Sequence, residues 1–158
     1  MEREYVVGFA INGLDVLLIR KNRPDWQAGK LNGVGGKIEP GEFPIEAMVR
    51  EFQEETGHLE ADWDYLLELQ THVGPVHFFR LLIEDRGVFD EIALRGGTTD
   101  EAVGSYSIPE LLFSNLMDSD GPKTLPNLPW LLALALYREY SYSPFLVSEI
   151  AAGKVAEK

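Results

Sequence analysis

The sequence predicts a compact α+β sandwich. Strand-type apolar runs come first, a strongly amphipathic helix interrupts them, and more strands and a second helix follow. The length of 158 residues suits one domain spanning 1–158 with a real core. The hydrophobic share of 45% and charged share of 25% are those of an ordinary folded chain rather than a disordered one. No internal repeat, linker or low-complexity segment divides it.

Tyr5 to Ile11 is a β-rich apolar run, and Asn12-Gly13 after it is a two-residue hairpin signal. Val16 to Ile19 supplies the returning strand. Arg20 to Leu31, with Pro24 and Gly29, reads as a loop. Asn32 to Ile38 holds Gly33, Gly35 and Gly36, which signals a short strand or a close backbone approach. Pro40-Gly41 is a turn, and Pro44 suits the first turn of a helix, where its missing N–H is no loss. That helix runs to Thr56 and stops at Gly57. Tyr65 to His72 and Val76 to Ile83 read as strands around Gly74-Pro75. Phe89 to Leu94 reads as a short strand, Glu101 to Ser107 as another, and Pro109 to Phe113 as a helical turn. Ser114 to Pro129 is rich in Pro, Gly, Asp and Asn and reads as a long loop, a type that is often functional. Leu131 to Tyr140 is the second helix, and the tail after about residue 153 is expected to fray.

Composition narrows the function. With no cysteine there is neither a disulfide nor a thiolate metal site, which fits a reducing, cytoplasmic setting. No N-terminal apolar run suggests a secretory signal, and the run from Trp130 to Tyr137 is too short to span a bilayer. A net charge of −12 opposes binding to nucleic acid or anionic lipid. Within that acidic chain, Arg20, Lys21, Arg23, Lys30 and Lys37 face a single acid, Asp25, over residues 20–37. This is either a local anion site or a solvated loop.

The informative segment is Gly36 to His58. At helical period, Ile45, Met48, Val49, Phe52 and Thr56 form the stripe expected to be buried. Glu51, Glu54 and Glu55, at i, i+3 and i+4, project together on an adjoining face. Their mutual repulsion would be relieved by a hard cation with oxygen ligands. The bare spacing also fits a solvated acidic face.

The segment as a whole resembles the Nudix box, G-x5-E-x7-R-E-U-x-E-E-x-G-U, where U is apolar. Gly36, Glu42, Arg50-Glu51, Phe52, Glu54-Glu55 and Gly57 match, and His58 departs at the last apolar position. The resemblance implies an αβα sandwich with a mixed central sheet. It also implies a Mg²⁺-dependent hydrolase, with Mn²⁺ as a substitute, that cleaves a pyrophosphate bond in a nucleoside diphosphate derivative. Glu51, Glu54 and Glu55, with the backbone of Gly36, would hold the metal, and Arg50 would orient a box glutamate. Glu42 would hold the loop or Arg50. A further acid after the box would act as base or extra ligand; Glu101 is the first candidate and Asp100 the second. An exposed structural role for Glu101 stays open at this point.

Charge makes Arg20, Arg23, Lys30 and Lys37 candidates for gripping phosphate, Lys37 above all because it adjoins Gly36. The stretches Val16 to Lys21 and Leu31 to Lys37 are similar to the branch acting on nucleoside triphosphates. In that branch the residue matching Asn32 contacts the base, and the late loop near Asn127 and Trp130 closes the pocket. Trp26 and Trp130 are either stacking or packing residues, Phe9 lines the pocket or the core, and His72 and His77 read as structural. No paired aspartates precede the second helix, where one purine-sanitising subgroup has them. Three functions are compatible with these features. The first is conversion of a (d)NTP to NMP plus pyrophosphate. The second is hydrolysis of ADP-ribose or another nucleoside diphosphate–X compound. The third is a silent nucleotide-binding module. Family members are often dimers, so a homodimer is an allowed state.

Overall fold

In the computed structural model, residues 3–116, 122–137 and 145–148 are described. Strand β1 (Tyr5–Asn12) turns at Gly13 into β2 (Asp15–Arg20), the hairpin signalled by Asn12-Gly13. The short β3 (Leu31–Asn32) precedes helix α1 (Pro44–Thr56). Then come β4 (Asp64–Thr71), β5 (Gly74–Leu82), α2 (Arg86–Arg95), β6 (Val103–Ser107), α3 (Ile108–Leu116), α4 (Leu128–Tyr137) and β7 (Phe145–Ser148). The strands form one open mixed sheet in the order β3-β2-β1-β5-β4-β7, with β6 on the other side of β2. β1 runs parallel to β5, and β4 parallel to β7; the remaining pairings are antiparallel.

Alternation along β1 assigns the two faces. Val7, Phe9 and Ile11 point to a core shared with Ile108 and Leu111 of α3 and Leu128, Leu131, Leu132 and Ala135 of α4. Val6 and Ala10 point to the opposite core, with Ala47, Met48 and Phe52 of α1 and Phe89 and Ile92 of α2. Helices therefore cover both faces, as the αβα expectation has it. Phe9 belongs to the core, stacked on Phe78 with ring centroids 6.1 Å apart.

Several sequence expectations are corrected. Phe89 to Leu94 is part of helix α2, because Asp85 caps the backbone N–H groups of Gly87 and Val88 and Gly96 closes the other end. The helical turn at Pro109 extends to the whole of α3, and α4 begins at Leu128, three residues early, so the intervening loop is shorter than residues 114–129. Gly74-Pro75 opens β5 rather than making the turn. Strand β7 was not anticipated. Residues 138–140 of the expected second helix, and the tail after 153, lie outside the described residues.

The glycine segment has a specific place. β1 and β2 pair only near their hairpin, at Ala10–Leu17, Ile11–Val16 and Asn12–Asp15. Beyond that they part, and residues 31–37 wedge between them. Leu31 and Asn32 pair with Arg20 and Ile19, while Val34 and Lys37 bridge to Gly8 and Tyr5. A Cβ on Gly33 would lie 2.6 Å from the Gly8 carbonyl oxygen, and one on Gly35 would lie 2.1 Å from that of Val6. Only glycine lets this segment enter the sheet.

Candidate active site

Helix α1 brings its carboxylates onto the wedge. Its start is set by Pro44 and by the Glu46 carboxylate, which accepts the Phe43 N–H at 2.8 Å. Its end is Gly57 in the left-handed region. The buried stripe is Ala47, Met48, Phe52, Glu55 and Thr56, and Ile45 is exposed. The stripe is thus rotated from the one expected, and Glu55 lies on the buried flank rather than beside it. The reason is tertiary: this flank presses on the backbone of Gly35 and Gly36, where the glycines leave room for the Glu55 and Glu51 carboxylates.

Glu55 is 8% exposed and accepts the Gly35 N–H at 3.3 Å. Burial pushes its carboxyl up to about 8, with the like charges of Glu51 and Glu101 adding and Lys21 opposing. A Cβ on Gly36 would sit 2.4 Å from the Glu51 carboxyl carbon, so that glycine forms the cradle for this carboxylate. Burial pushes Glu51 up as well, against the pull of Arg50. Glu54 stands outside, its side chain 58% exposed.

Arg50 gathers this cluster. Its Nε and Nη2 donate to the two oxygens of Glu42, each at 2.9 Å, in a two-pronged pair. Nη1 donates to Glu51 at 2.7 Å and reaches Glu54 at 3.4 Å, and Nη2 also donates to the Lys37 carbonyl at 3.0 Å. The Arg50 hydrogen bonds hold Glu42 below the usual carboxylate range, and Glu42 also accepts the Glu39 N–H.

Glu101 arrives from the far side. Thr98 donates its N–H to the Glu55 carbonyl at 2.8 Å and its hydroxyl to the Glu54 carbonyl, docking residues 96–101 on the end of α1. Glu101 is only 6% exposed, which removes the exposed-loop alternative. Lys21 Nζ donates to it at 2.6 Å and the Asn22 N–H at 2.7 Å. Burial pushes this carboxyl up, but the Lys21 ammonium and the Asn22 N–H together hold it below its ordinary value. Asp100 is exposed and pairs with Arg23 at 3.6 Å.

Across Gly35 and Gly36 lies a cleft of about 430 Å³. Its floor is apolar, with Val7, Leu69, Val76 and Phe78. Lys21, Arg23, Lys30 and Lys37 supply its positive charge, and Asn32 and Asn127 its amides. Asn127 is brought there because residues 123–125 join the edge of β3: the Leu31 N–H donates to Lys123 and the Leu125 N–H to Leu31. Arg20 is not part of the cleft; its guanidinium donates to the Gly29 carbonyl on the exposed side. Trp130 does not line it, whereas Trp26 and His72 do. His72, read from the sequence as structural, lines the cleft, and nothing local distinguishes a histidine in a hairpin turn. Lys21 was visible only as one of five basic residues. His77 is structural as read, held between the Tyr65 hydroxyl and Glu4.

The donor set suits a hard cation: Glu51, Glu54, Glu55 and a backbone carbonyl supply oxygen only, and the carboxylates lack enough positive partners of their own. Among the described residues no group of three acidic or histidine side chains surrounds one point, and Arg50 Nη1 donates to both Glu51 and Glu54. The Gly36 carbonyl already accepts the Val6 N–H, leaving one lone pair.

The family model described as the NUDIX domain matches residues 1–104. Two curated relatives from two strains of Mycobacterium tuberculosis, each named "Putative 8-oxo-dGTP diphosphatase 2", are 35% identical over 94 residues. The match covers 60% of this chain and 53% of each relative, so the chain spans about half the length of the curated relatives it matches. Among solved structures, an ADP compounds hydrolase is similar with a TM-score of 0.63 and 19% identity, covering 86% of this chain and 72% of that one. The MutT structure from Aliivibrio salmonicida and Vibrio cholerae is similar with a TM-score of 0.57 and 20% identity, covering 85% and 96%. At these identities the two structures speak for the fold alone. No helix among the described residues is long and apolar enough to cross a membrane.

Proposed function

We propose that this chain, which belongs to the Nudix family, hydrolyses a phosphoanhydride bond of a nucleotide, converting a (d)NTP, ordinary or oxidised, to NMP and pyrophosphate. The observation that carries the reading is one of position. The carboxylate flank of α1 packs on Gly35 and Gly36, which also line the basic, aromatic-lined cleft although none of the carboxylates does, so a base and a diphosphate find complementary surroundings on either side of one backbone. The relatives named for 8-oxo-dGTP support the triphosphate class.

In this reading Glu51, Glu54 and Glu55, with the Gly36 carbonyl, would hold Mg²⁺ (or Mn²⁺), which would supply neutralisation of phosphate charge and activation of water. Arg50, held by both oxygens of Glu42, positions Glu51. Lys37 and Arg23 grip phosphate oxygens, and Asn32 and Asn127 meet the edge of the base. Glu101, kept ionised by Lys21, accepts the proton of the attacking water. Arg20 is left without a role in the cleft.

The test is a turnover assay with Mg²⁺ over triphosphates, oxidised triphosphates and ADP-ribose. Pyrophosphate released from triphosphates supports the proposal. AMP plus ribose 5-phosphate from ADP-ribose replaces it with the nucleoside diphosphate–X reading, and binding without any turnover replaces it with a silent module.

A further inference from the structure

Trp26 and His72 reach the cleft from two different loops. Trp26 lies in the β2–β3 loop, and His72 in the turn joining β4 to β5. Both are exposed, Trp26 by 51%. Neither belongs to either core cluster, so packing does not account for them. Trp63, by contrast, packs edge-on against Phe52 in the core, its indole N–H held by the Glu60 carbonyl.

The Trp26 and His72 ring centroids are 6.5 Å apart, with planes tilted by 53°. That is near the outer limit at which aromatic pairs attract, about 4.5–7 Å, so the two rings gain little from each other. Both side chains are exposed, so they can turn about their rotamers to open and receive a third flat ring between them. The backbone behind Trp26 is braced: Lys30 Nζ donates to the Trp26 carbonyl at 2.6 Å, and the Gln27 and Ala28 N–H groups donate to Pro24. In the β4–β5 turn, the Thr71 hydroxyl donates to the Gly74 carbonyl and accepts the Val73 N–H, which fixes the backbone carrying His72. Two exposed rings carried on braced backbone, over an apolar floor, suit a planar heteroaromatic group.

We propose that Trp26 and His72 form a two-sided clamp that stacks the base of the substrate and sets the preference for nucleotides over base-free phosphates. The clamp rests on the nucleotide reading above but does not depend on catalysis. Stacking is tolerant of base identity, so selectivity among bases falls to the polar groups deeper in the cleft.

Binding of AMP and dGMP, with ribose 5-phosphate as the base-free probe, tests it by calorimetry and by quenching of indole fluorescence. Trp26→Ala should weaken both nucleotides roughly 5- to 100-fold and abolish most of the quenching, with ribose 5-phosphate unchanged. His72→Ala should weaken them less, and His72→Phe should restore binding. Both side chains are exposed, so thermal melts should match the wild type. The clamp is overturned if the variants bind AMP and dGMP as the wild type does, if His72→Phe behaves as His72→Ala, or if the wild type holds neither nucleotide more tightly than ribose 5-phosphate. If the clamp variants lose binding while the wild type hydrolyses nothing, the clamp stands and the catalytic proposal falls. If nucleotides turn over and Trp26→Ala leaves KM untouched, the reverse holds.

Discussion

The α1 flank and the cleft lie on either side of Gly35 and Gly36, and they are built in opposite ways. On the helix side the polar groups are committed to one another: Glu42, Glu51 and Glu54 all reach Arg50, Glu55 takes the Gly35 N–H, and Glu101 takes Lys21 and Asn22. On the cleft side an apolar floor is rimmed by exposed side chains such as Trp26, His72 and Arg23. Chemistry that handles a phosphoanhydride needs charges placed to a fraction of an ångström, and such placement requires a dense, mutually held network. Choosing a nucleotide needs shape and a few contacts, which an open cleft supplies. The committed side is therefore the one whose disturbance should be catalytic, and the open side the one whose disturbance should alter affinity.

The sharpest way to break this contrast is Glu54→Gln. Glu54 is exposed and makes one long contact to Arg50, so the variant should melt with the wild type while Mg²⁺-dependent kcat falls by about 100-fold or more. Unchanged kcat would remove the metal role from the α1 flank.

Next is Lys21→Met, which leaves Glu101 a buried carboxylate without its cation, held only by backbone N–H groups. A loss of about 3 kcal/mol in denaturant unfolding at neutral pH is expected. The pH dependence should change with it. In the wild type the Glu101 carboxyl is held below its ordinary value, so its contribution is present above the unfolded-state value of 4.5 and lost as pH falls through the lower folded-state value. That acid-side loss should shrink in Lys21→Met.

Two neighbouring glycines sharpen the boundary itself. Gly35→Ala meets the Val6 carbonyl, so backbone must move, with a cost of about 1–3 kcal/mol in stability. Gly36→Ala meets the movable Glu51 carboxylate instead, so kcat should fall while stability changes by less. Equal effects in the two variants would mean that Gly36 is only a sheet residue.

The smallest effect is expected from Arg20→Ala. Its guanidinium sits outside the cleft, so KM should stay within about two-fold of the wild type, whereas Lys37→Ala should raise KM by more.

What could be read beforehand was local. The Asn12-Gly13 hairpin, the span of α1 and its glycine stop, and the box carboxylates all follow from signals a few residues apart. Helix α2 was misread because a short apolar run suits strand and helix alike, and its Asp85 cap decides the matter only once paired with the N–H groups of Gly87 and Val88.

The sequence by itself determined that three carboxylates and an arginine share one helix, because helical periodicity is a property of the chain alone. Tertiary structure alone decided which of them is buried, that Glu101 joins Lys21 across 80 positions, and that Trp26 faces His72. Those placements depend on how the wedge of residues 31–37 parts β1 from β2 and on which loops then meet at the sheet edge. No spacing within the chain encodes such a meeting, since it is fixed by packing between distant segments.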